Sequence, residues 1–139
     1  MLWLYGPAGV GKSAIAWKVT ELLAERGLLL ASFLFFCSDS RHNTVAPLVA
    51  NIIYHTICVI PGIHGTINDT IEADPLIQLS YSIEEQLTEL FFKPLQLLVD
   101  QGHFLHTWFP PLILIDGLDE CLDKNTQTNL IQLLSSSIT

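Results

Sequence analysis

Apolar positions fall into short continuous runs along the chain, separated by segments in which apolar and polar residues alternate at helical spacing. The continuous runs are residues 2–5, residues 28–37 with three phenylalanines, and residues 112–115. Runs that are apolar at nearly every position are typical of strands buried on both faces of a parallel sheet. The sequence therefore predicts strands at these places, in a mostly parallel sheet.

The segments between these runs predict helices. From Lys12 onward, one face carries Ile15, Val19, Leu22 and Leu23, and Gly27 is a suitable C-terminal stop. We interpret this apolar face as the inner face of the first helix. Helices between strands are typical of an α/β fold with helices packed on a sheet.

Further helices are predicted from residue 44 to the 61–62 break, over residues 63–73, from residue 83 to about 102, and over residues 125–136. Thr44 can cap the first of these, with Pro47 in its first turn. Ser82 and Glu85 have capping-box spacing before the third. Pro94 should kink that helix or start a new one, and Pro110–Pro111 precedes the last apolar run.

The residues that join the first apolar run to the first helix form the pattern GxxxxGK(S/T): Gly6, Pro7, Ala8, Gly9, Val10, Gly11, Lys12 and Ser13. Glycines let successive backbone N–H groups turn inward as an anion-binding nest, and the following helix points its positive end at the anion. Lys12 adds a mobile charge for the outer phosphates, and the Ser13 hydroxyl is a hard oxygen ligand for Mg²⁺. The pattern predicts a phosphate-binding loop.

Acidic residues follow the last apolar run, at Asp116, Asp119 and Glu120. Parallel strands end at one edge of a sheet, so we expect Asp116 near Ser13, where its carboxylate can hold Mg²⁺ directly or through water. The next two acids are placed to orient a water for attack on a terminal phosphate. Glu120 is our preferred water-positioning residue. Asp119 is then a second metal-shell ligand or a solvated acid at a helix start.

Composition narrows the function classes. The chain has 139 residues, enough for one domain, with 14% charged residues and a net charge of −8. Average proteins carry about 25% charged residues, so this chain has little charge to cover the surface of a free-standing domain. We therefore expect it to be part of a larger protein or assembly. The negative charge disfavours nucleic-acid binding. The odd set of three cysteines and the absence of an export signal predict a cytoplasmic protein. No apolar run is long enough to cross a membrane.

Several segments together resemble the NACHT domain of signal-transducing NTPases, the STAND class of P-loop NTPases, in the form frequent among fungal NOD-like proteins. They are GPAGVGKSAIA at 6–16, SFLFF at 32–36, IEADP at 71–75, SIEEQ at 82–86 and LILIDGLDEC at 112–121. The resemblance implies a three-layer P-loop sandwich with ATP and Mg²⁺ as cofactors. It assigns phosphate binding to residues 6–13, Mg²⁺ to Ser13 and Asp116, and hydrolysis to Asp119 and Glu120. It also implies a slow switch that controls self-assembly with other protomers or domains.

The sequence departs from that family after the acidic motif. NACHT-like proteins have a further strand there, which inserts between the two motif strands, and this chain ends before one. Upstream and downstream parts that cover the nucleotide are also lacking. We therefore expect residues 1–139 to be a partial NACHT-like core, with a gap or an improvised pairing between residues 2–5 and 112–115.

Other functions remain open at this stage. A small phosphotransferase usually clamps phosphates with several arginines, and Arg26 and Arg41 are the only two here. Arg41, in the polar loop after the second apolar run, either faces phosphate or is solvated. A GTPase would need a guanine-reading NKxD motif, which is absent. A non-catalytic remnant or interaction module is a serious alternative.

Weaker constellations point to no site. His55 with Cys58, and His103 with His106, have i,i+3 spacing but no second pair at a zinc-site spacing. We interpret them as ordinary core or surface residues. The acidic cluster before Cys121 should suppress its thiolate, so a cysteine nucleophile is not expected there.

Overall fold

The computed structural model describes residues 1–102 and 112–137, which form an α/β arrangement. The strands are β1 (Leu29–Leu34) and β2 (Leu112–Asp116). The helices are α1 (Lys12–Glu25), α2 (Ala46–Val59), α3 (Ile63–Ala73), α4 (Ile77–Ser80), α5 (Ile83–Leu87), α6 (Lys93–Asp100) and α7 (Lys124–Ser137). A π-helical turn (Thr88–Phe92) joins α5 to α6, and a 3₁₀ turn (Leu118–Glu120) follows β2. Pro110–Pro111, which precedes the last apolar run, and the His103–His106 pair lie outside the described residues.

The sheet consists of β1 and β2, which pair in parallel. Phe33 lies opposite Ile115 and Leu34 opposite Asp116, so both strands end at the same edge. Beyond the strand, the Phe35 N–H still donates to the Asp116 carbonyl at 2.9 Å. β1 is shorter than the predicted 28–37 because the Phe36 N–H turns away to the His42 carbonyl, 2.8 Å distant. The parallel pairing of two apolar runs is confirmed.

The first apolar run, residues 2–5, is not a strand, which corrects the sequence prediction. All four side chains are exposed, and Leu2 retains 96% of its accessible surface. A strand needs a neighbour to pair its N–H and C=O groups. In the described part of the chain β2 pairs with β1, and no strand lies between residues 2–5 and β2. Among the described residues the sheet therefore has two strands, and residues 2–5 do not pair with residues 112–115.

Helix α1 packs against both strands but contains no buried residue. Its half-buried side chains are those of Lys12, Ala16, Thr20 and Leu23. The apolar stripe predicted to face inward is exposed instead at Ile15, Val19 and Leu22, with Ile15 retaining 50% of its surface. The half-buried face of α1 is thus offset from the predicted one, and most of the apolar stripe stays on the surface.

The main core lies between the strands and helices α2, α5 and α7. It is built from Leu30, Ala31, Phe33, Phe35, Val45, Leu48, Val49, Ile52, Leu87, Phe91, Cys121 and Leu130. A second core joins the end of α2 to α3, α4, the π-helical turn and α6 through Ile60, Ile63, Ile67, Ile77, Leu90 and Leu98. Within residues 1–102 and 112–137, no helix combines the length and the apolar character that a membrane span requires.

Helix ends show which local predictions were right. The capping box is present: the Glu85 N–H donates to Ser82 Oγ at 3.2 Å, and the Ser82 N–H donates to Glu85 Oε2 at 2.9 Å. Gly27 follows the last turn of α1 in the left-handed conformation, with φ of 65°. The predicted Thr44 cap is wrong, because α2 begins after Val45 and has no side-chain cap.

Pro94 changes the backbone geometry of the helical turn just before it. Proline lacks an N–H, and its ring would crowd the carbonyl four residues earlier, that of Leu90. The structure widens the helix there into the π-helical turn, in which the Lys93 N–H donates to the Thr88 carbonyl. The predicted disturbance is therefore a local widening of the helix at residues 88–92.

Candidate functional site

The loop of residues 6–11 leads into α1 and is exposed throughout. Gly9 and Gly11 have φ of 80° and 88°, the left-handed region that strains other residues. Gly11 is the N-cap of α1, and among the described residues no side chain caps the first turn. The N-terminus of a 14-residue helix is thus left open behind a glycine turn. Such an end attracts anions, because its N–H groups point outward and the helix dipole is positive there.

The Lys12 side chain folds back onto this loop. Its Nζ donates to the carbonyls of Gly6 at 2.7 Å and Pro7 at 2.9 Å. These bonds hold the ammonium over the entry to α1. An anion bound at the helix start would offer Lys12 a charged acceptor, and charge-assisted hydrogen bonds are stronger than those to carbonyls.

Ser13 lies in the first turn of α1, and Asp116 ends β2. The last turn of α1 is tied to the start of both strands, because the Leu28 N–H donates to the Leu23 carbonyl at 2.8 Å and the Leu28 carbonyl accepts from the Leu112 N–H at 3.1 Å. Fourteen helical residues span about 21 Å, and the six residues of β1 span about 20 Å. Helix α1 contacts both strands, and the approach of its first turn to the edge where Asp116 lies stays a prediction.

Asp116 is half-buried. Its Oδ1 accepts from the N–H of Gly117 at 2.8 Å. Its carboxylate and the Ser13 hydroxyl are hard oxygen donors of the kind that Mg²⁺ prefers. No group of three or more His, Cys, Asp or Glu side chains that could hold a metal occurs among the described residues. Each of the two groups, taken by itself, is a suitable ligand for a cation that takes its remaining ligands from water and phosphate.

The acidic turn after β2 places its two remaining acids differently. The Glu120 N–H closes the 3₁₀ turn on the Gly117 carbonyl at 2.8 Å. The Asp119 side chain is exposed, and its backbone carbonyl accepts from Lys124 Nζ at 2.7 Å. Glu120 is half-buried, and its Oε2 accepts from the backbone N–H of Cys37 at 3.1 Å. Glu120 is therefore held against the end of β1, whereas Asp119 points to solvent.

The loop of residues 36–43 is a part of the site that sequence reasoning underestimated. Arg41, for which the sequence left two roles open, donates through Nε and Nη2 to the two carboxylate oxygens of Asp39, at 3.1 and 2.8 Å. Its side chain is 82% exposed. Hydrogen bonds from the Arg41 side chain and backbone lower the pKa of Asp39 to about 2. Arg41 is thus engaged with its own loop.

The whole chain is similar to one known protein family. The family model described as "Nephrocystin 3, N-terminal" matches residues 1–139. The chain belongs to this family. The match spans the phosphate-loop pattern, both strands and the acidic turn, so the site described above lies within the family's shared region. Searches of curated proteins and of solved structures give no significant match.

Proposed function

We propose that the chain binds Mg²⁺–ATP at residues 6–13 and hydrolyses it slowly, as the nucleotide-operated core of a NACHT-type signalling switch in the cytoplasm. One observation carries this proposal: the open N-terminus of α1 behind the left-handed Gly9 and Gly11. A protein with a net charge of −8 repels polyphosphates in general. A polyphosphate therefore needs a local cluster of positive groups, which the N–H groups of the loop and Lys12 provide.

Each residue has a stated role in this proposal. The phosphates accept hydrogen bonds from backbone N–H groups of the loop formed by Gly6, Pro7, Ala8, Gly9, Val10, Gly11, Lys12 and Ser13. Pro7, which has no N–H, shapes the loop and donates no bond. Lys12 exchanges the carbonyls of Gly6 and Pro7 for the outer phosphates. Ser13 and Asp116 hold Mg²⁺, which when bound neutralises charge on the phosphates.

Hydrolysis is assigned to Glu120. Its carboxylate orients a water and accepts its proton while the water oxygen bonds to the terminal phosphorus. The bond from that phosphorus to the bridging oxygen breaks, which yields ADP and inorganic phosphate. Asp119, which is exposed, is assigned a weaker role, in which its carboxylate would bind water molecules of the Mg²⁺ shell.

Turnover by this chain alone is expected to be slow because neither arginine is placed to neutralise transition-state charge. Arg41 is paired with Asp39, and Arg26 follows the C-terminal end of α1, away from the loop. An arginine at the transferring phosphate is worth about 10³–10⁵ in rate. We propose that another protomer or domain supplies it. The arginine shortage also argues against a small kinase.

The NACHT resemblance and the lack of a guanine-reading NKxD motif in the sequence favour ATP over GTP, and the resemblance favours a signalling role over metabolic turnover. The proposed partners are nucleotide and other protomers or domains, not nucleic acid or membrane. One observation favours a second candidate, a non-catalytic interaction module. Residues 2–5 and the α1 stripe expose apolar side chains beside the loop, a surface typical of protein contacts.

Equilibrium binding of ATP, measured with and without Mg²⁺, tests the proposal. We expect the wild-type chain to bind more tightly with Mg²⁺, and Asp116→Asn to lose that gain while keeping its Mg²⁺-free affinity. Absence of binding by the wild type in both conditions would favour the interaction module. Phosphate transfer from ATP to a small acceptor would favour the kinase.

A further inference from the structure

A hydrogen bond to the Glu120 carboxylate joins the acidic turn to the loop after β1. The backbone N–H of Cys37 donates to Glu120 Oε2 at 3.1 Å, across a sequence separation of 83 residues. The parallel pairing of β1 with β2 creates this contact, because it brings both strand ends to the same edge. This bond holds the Oε2 atom of Glu120 in place. Because the donor is a backbone N–H, the bond depends on no side chain other than that of Glu120.

The donor belongs to a loop that is closed on itself. The Phe36 N–H donates to the His42 carbonyl at 2.8 Å, and the His42 N–H donates to the Asp39 carbonyl at 2.8 Å. The His42 ring stacks on Phe33 with centroids 5.1 Å apart, and its Nδ1 lies 2.9 Å from the Leu34 carbonyl. The Cys37 N–H is therefore held in a fixed place relative to β1.

The acceptor is anchored on both sides along the chain. Before Glu120, Gly117 approaches the Phe35 carbonyl so closely that a Cβ there would lie 2.4 Å from its oxygen. After Glu120, Cys121 is fully buried in the main core, and the Leu122 N–H donates to the Asn43 carbonyl at 2.9 Å. Both partners of the bond are thus fixed by contacts that do not involve the bond itself.

We propose that the Cys37 N–H is a positioning group for Glu120, an inference that rests on the proposed function. By binding Oε2, the amide fixes the orientation of the carboxylate and leaves Oε1 to receive the proton of the attacking water. A general base that is held in place contributes more than one that rotates freely, because hydrolysis needs the acceptor oxygen in line with the water. The cysteine side chain has no part in this role.

The test compares Cys37→Pro, which removes the N–H, with Cys37→Ala, which keeps it. We expect Cys37→Pro to lower kcat for ATP about tenfold, the effect of one hydrogen bond to a charged group, with KM and the ATP Kd unchanged. Cys37→Ala should retain wild-type kcat. Because the amide acts through Glu120, Cys37→Pro should cause no further loss in a Glu120→Gln background.

A loss of the same size in the Glu120→Gln background would instead show a general structural effect and overturn the proposal. If Cys37→Pro fails to fold, an ester linkage between residues 36 and 37, made by semisynthesis, removes the N–H without the proline ring. Wild-type kcat in a folded chain lacking this N–H would overturn the positioning role alone. Absence of ATP binding by the wild type would overturn the proposed function and the positioning role together.

Discussion

Gly117 and Phe35 come into backbone contact where the two strands end. A Cβ on Gly117 would lie 2.4 Å from the Phe35 carbonyl oxygen and 3.3 Å from its carbonyl carbon. Gly117 also has φ of 67°, in the left-handed region. Glycine is therefore required twice at this position, by conformation and by space. This contact sets the acidic turn against the end of β1.

Gly117→Ala should lower the free energy of unfolding by about 3 kcal/mol, because the methyl adds a clash to the left-handed strain. Gly62 is a matched control, since its φ is 85° but its Cβ position is open. Gly62→Ala should cost only about 1 kcal/mol. Urea denaturation of both variants measures the difference. Equal losses would mean that Gly117 does not lie against Phe35 in solution.

The Asp39–Arg41 pair predicts a specific pH dependence. Arg41 lowers the pKa of Asp39 from 3.8 to about 2, so the pair stabilises the loop at pH values above 3.8. That contribution falls as the pH drops from 3.8 through about 2 and Asp39 takes up its proton. Arg41→Ala should return the pKa of Asp39 towards 3.8, as measured by NMR titration of its carboxyl carbon. An unchanged pKa would contradict the bidentate contact.

The capping box at α5 predicts a second stability effect. Ser82→Ala removes the acceptor for the Glu85 N–H and should cost about 1 kcal/mol. Glu85→Gln retains a side-chain oxygen for the Ser82 N–H, so its cost should be much smaller. Thermal unfolding of the two variants compares them. A larger loss for Glu85→Gln than for Ser82→Ala would reverse this assignment.

The local features of the fold were predictable from the sequence. The range of α3, the capping box and the parallel arrangement of strands formed by two of the apolar runs follow from spacing, caps and apolar runs. Strand pairing partners were less predictable. Residues 2–5 have the composition of a strand, but a run forms a strand only where a neighbour offers its backbone groups, and composition does not encode that neighbour.

In the candidate site, too, a local feature was predictable from the sequence, whereas a contact between distant segments was not. The pattern of residues 6–13 predicted a glycine turn at a helix start, and the structure has left-handed Gly9 and Gly11 there. The bond from the Cys37 N–H to Glu120 could not be predicted, since a backbone donor carries no residue-type signature. A polar run directly after β1, beside a strand that ends in an acid, was the one indication that this loop belongs to the site.

The two acids of the turn should differ in their effect on hydrolysis. Glu120→Gln should lower kcat about 100-fold with the ATP affinity retained, because it removes the proton acceptor. Asp119→Asn should have a much smaller effect, since that side chain is exposed. Single-turnover hydrolysis together with ATP binding separates the two steps. Loss of binding in Glu120→Gln would contradict the role assigned to this residue.

Binding of Mg²⁺–ATP by isothermal titration tests the central claim most directly, in the wild type, Lys12→Ala and Lys18→Ala. Lys18 is a matched control on the same helix, where it pairs with Glu21 on the surface. Lys12→Ala should weaken ATP about ten- to a hundred-fold, the loss of one charge-assisted phosphate contact, and Lys18→Ala should bind like the wild type. Equal ATP affinity in all three proteins would contradict phosphate binding by the loop at residues 6–13.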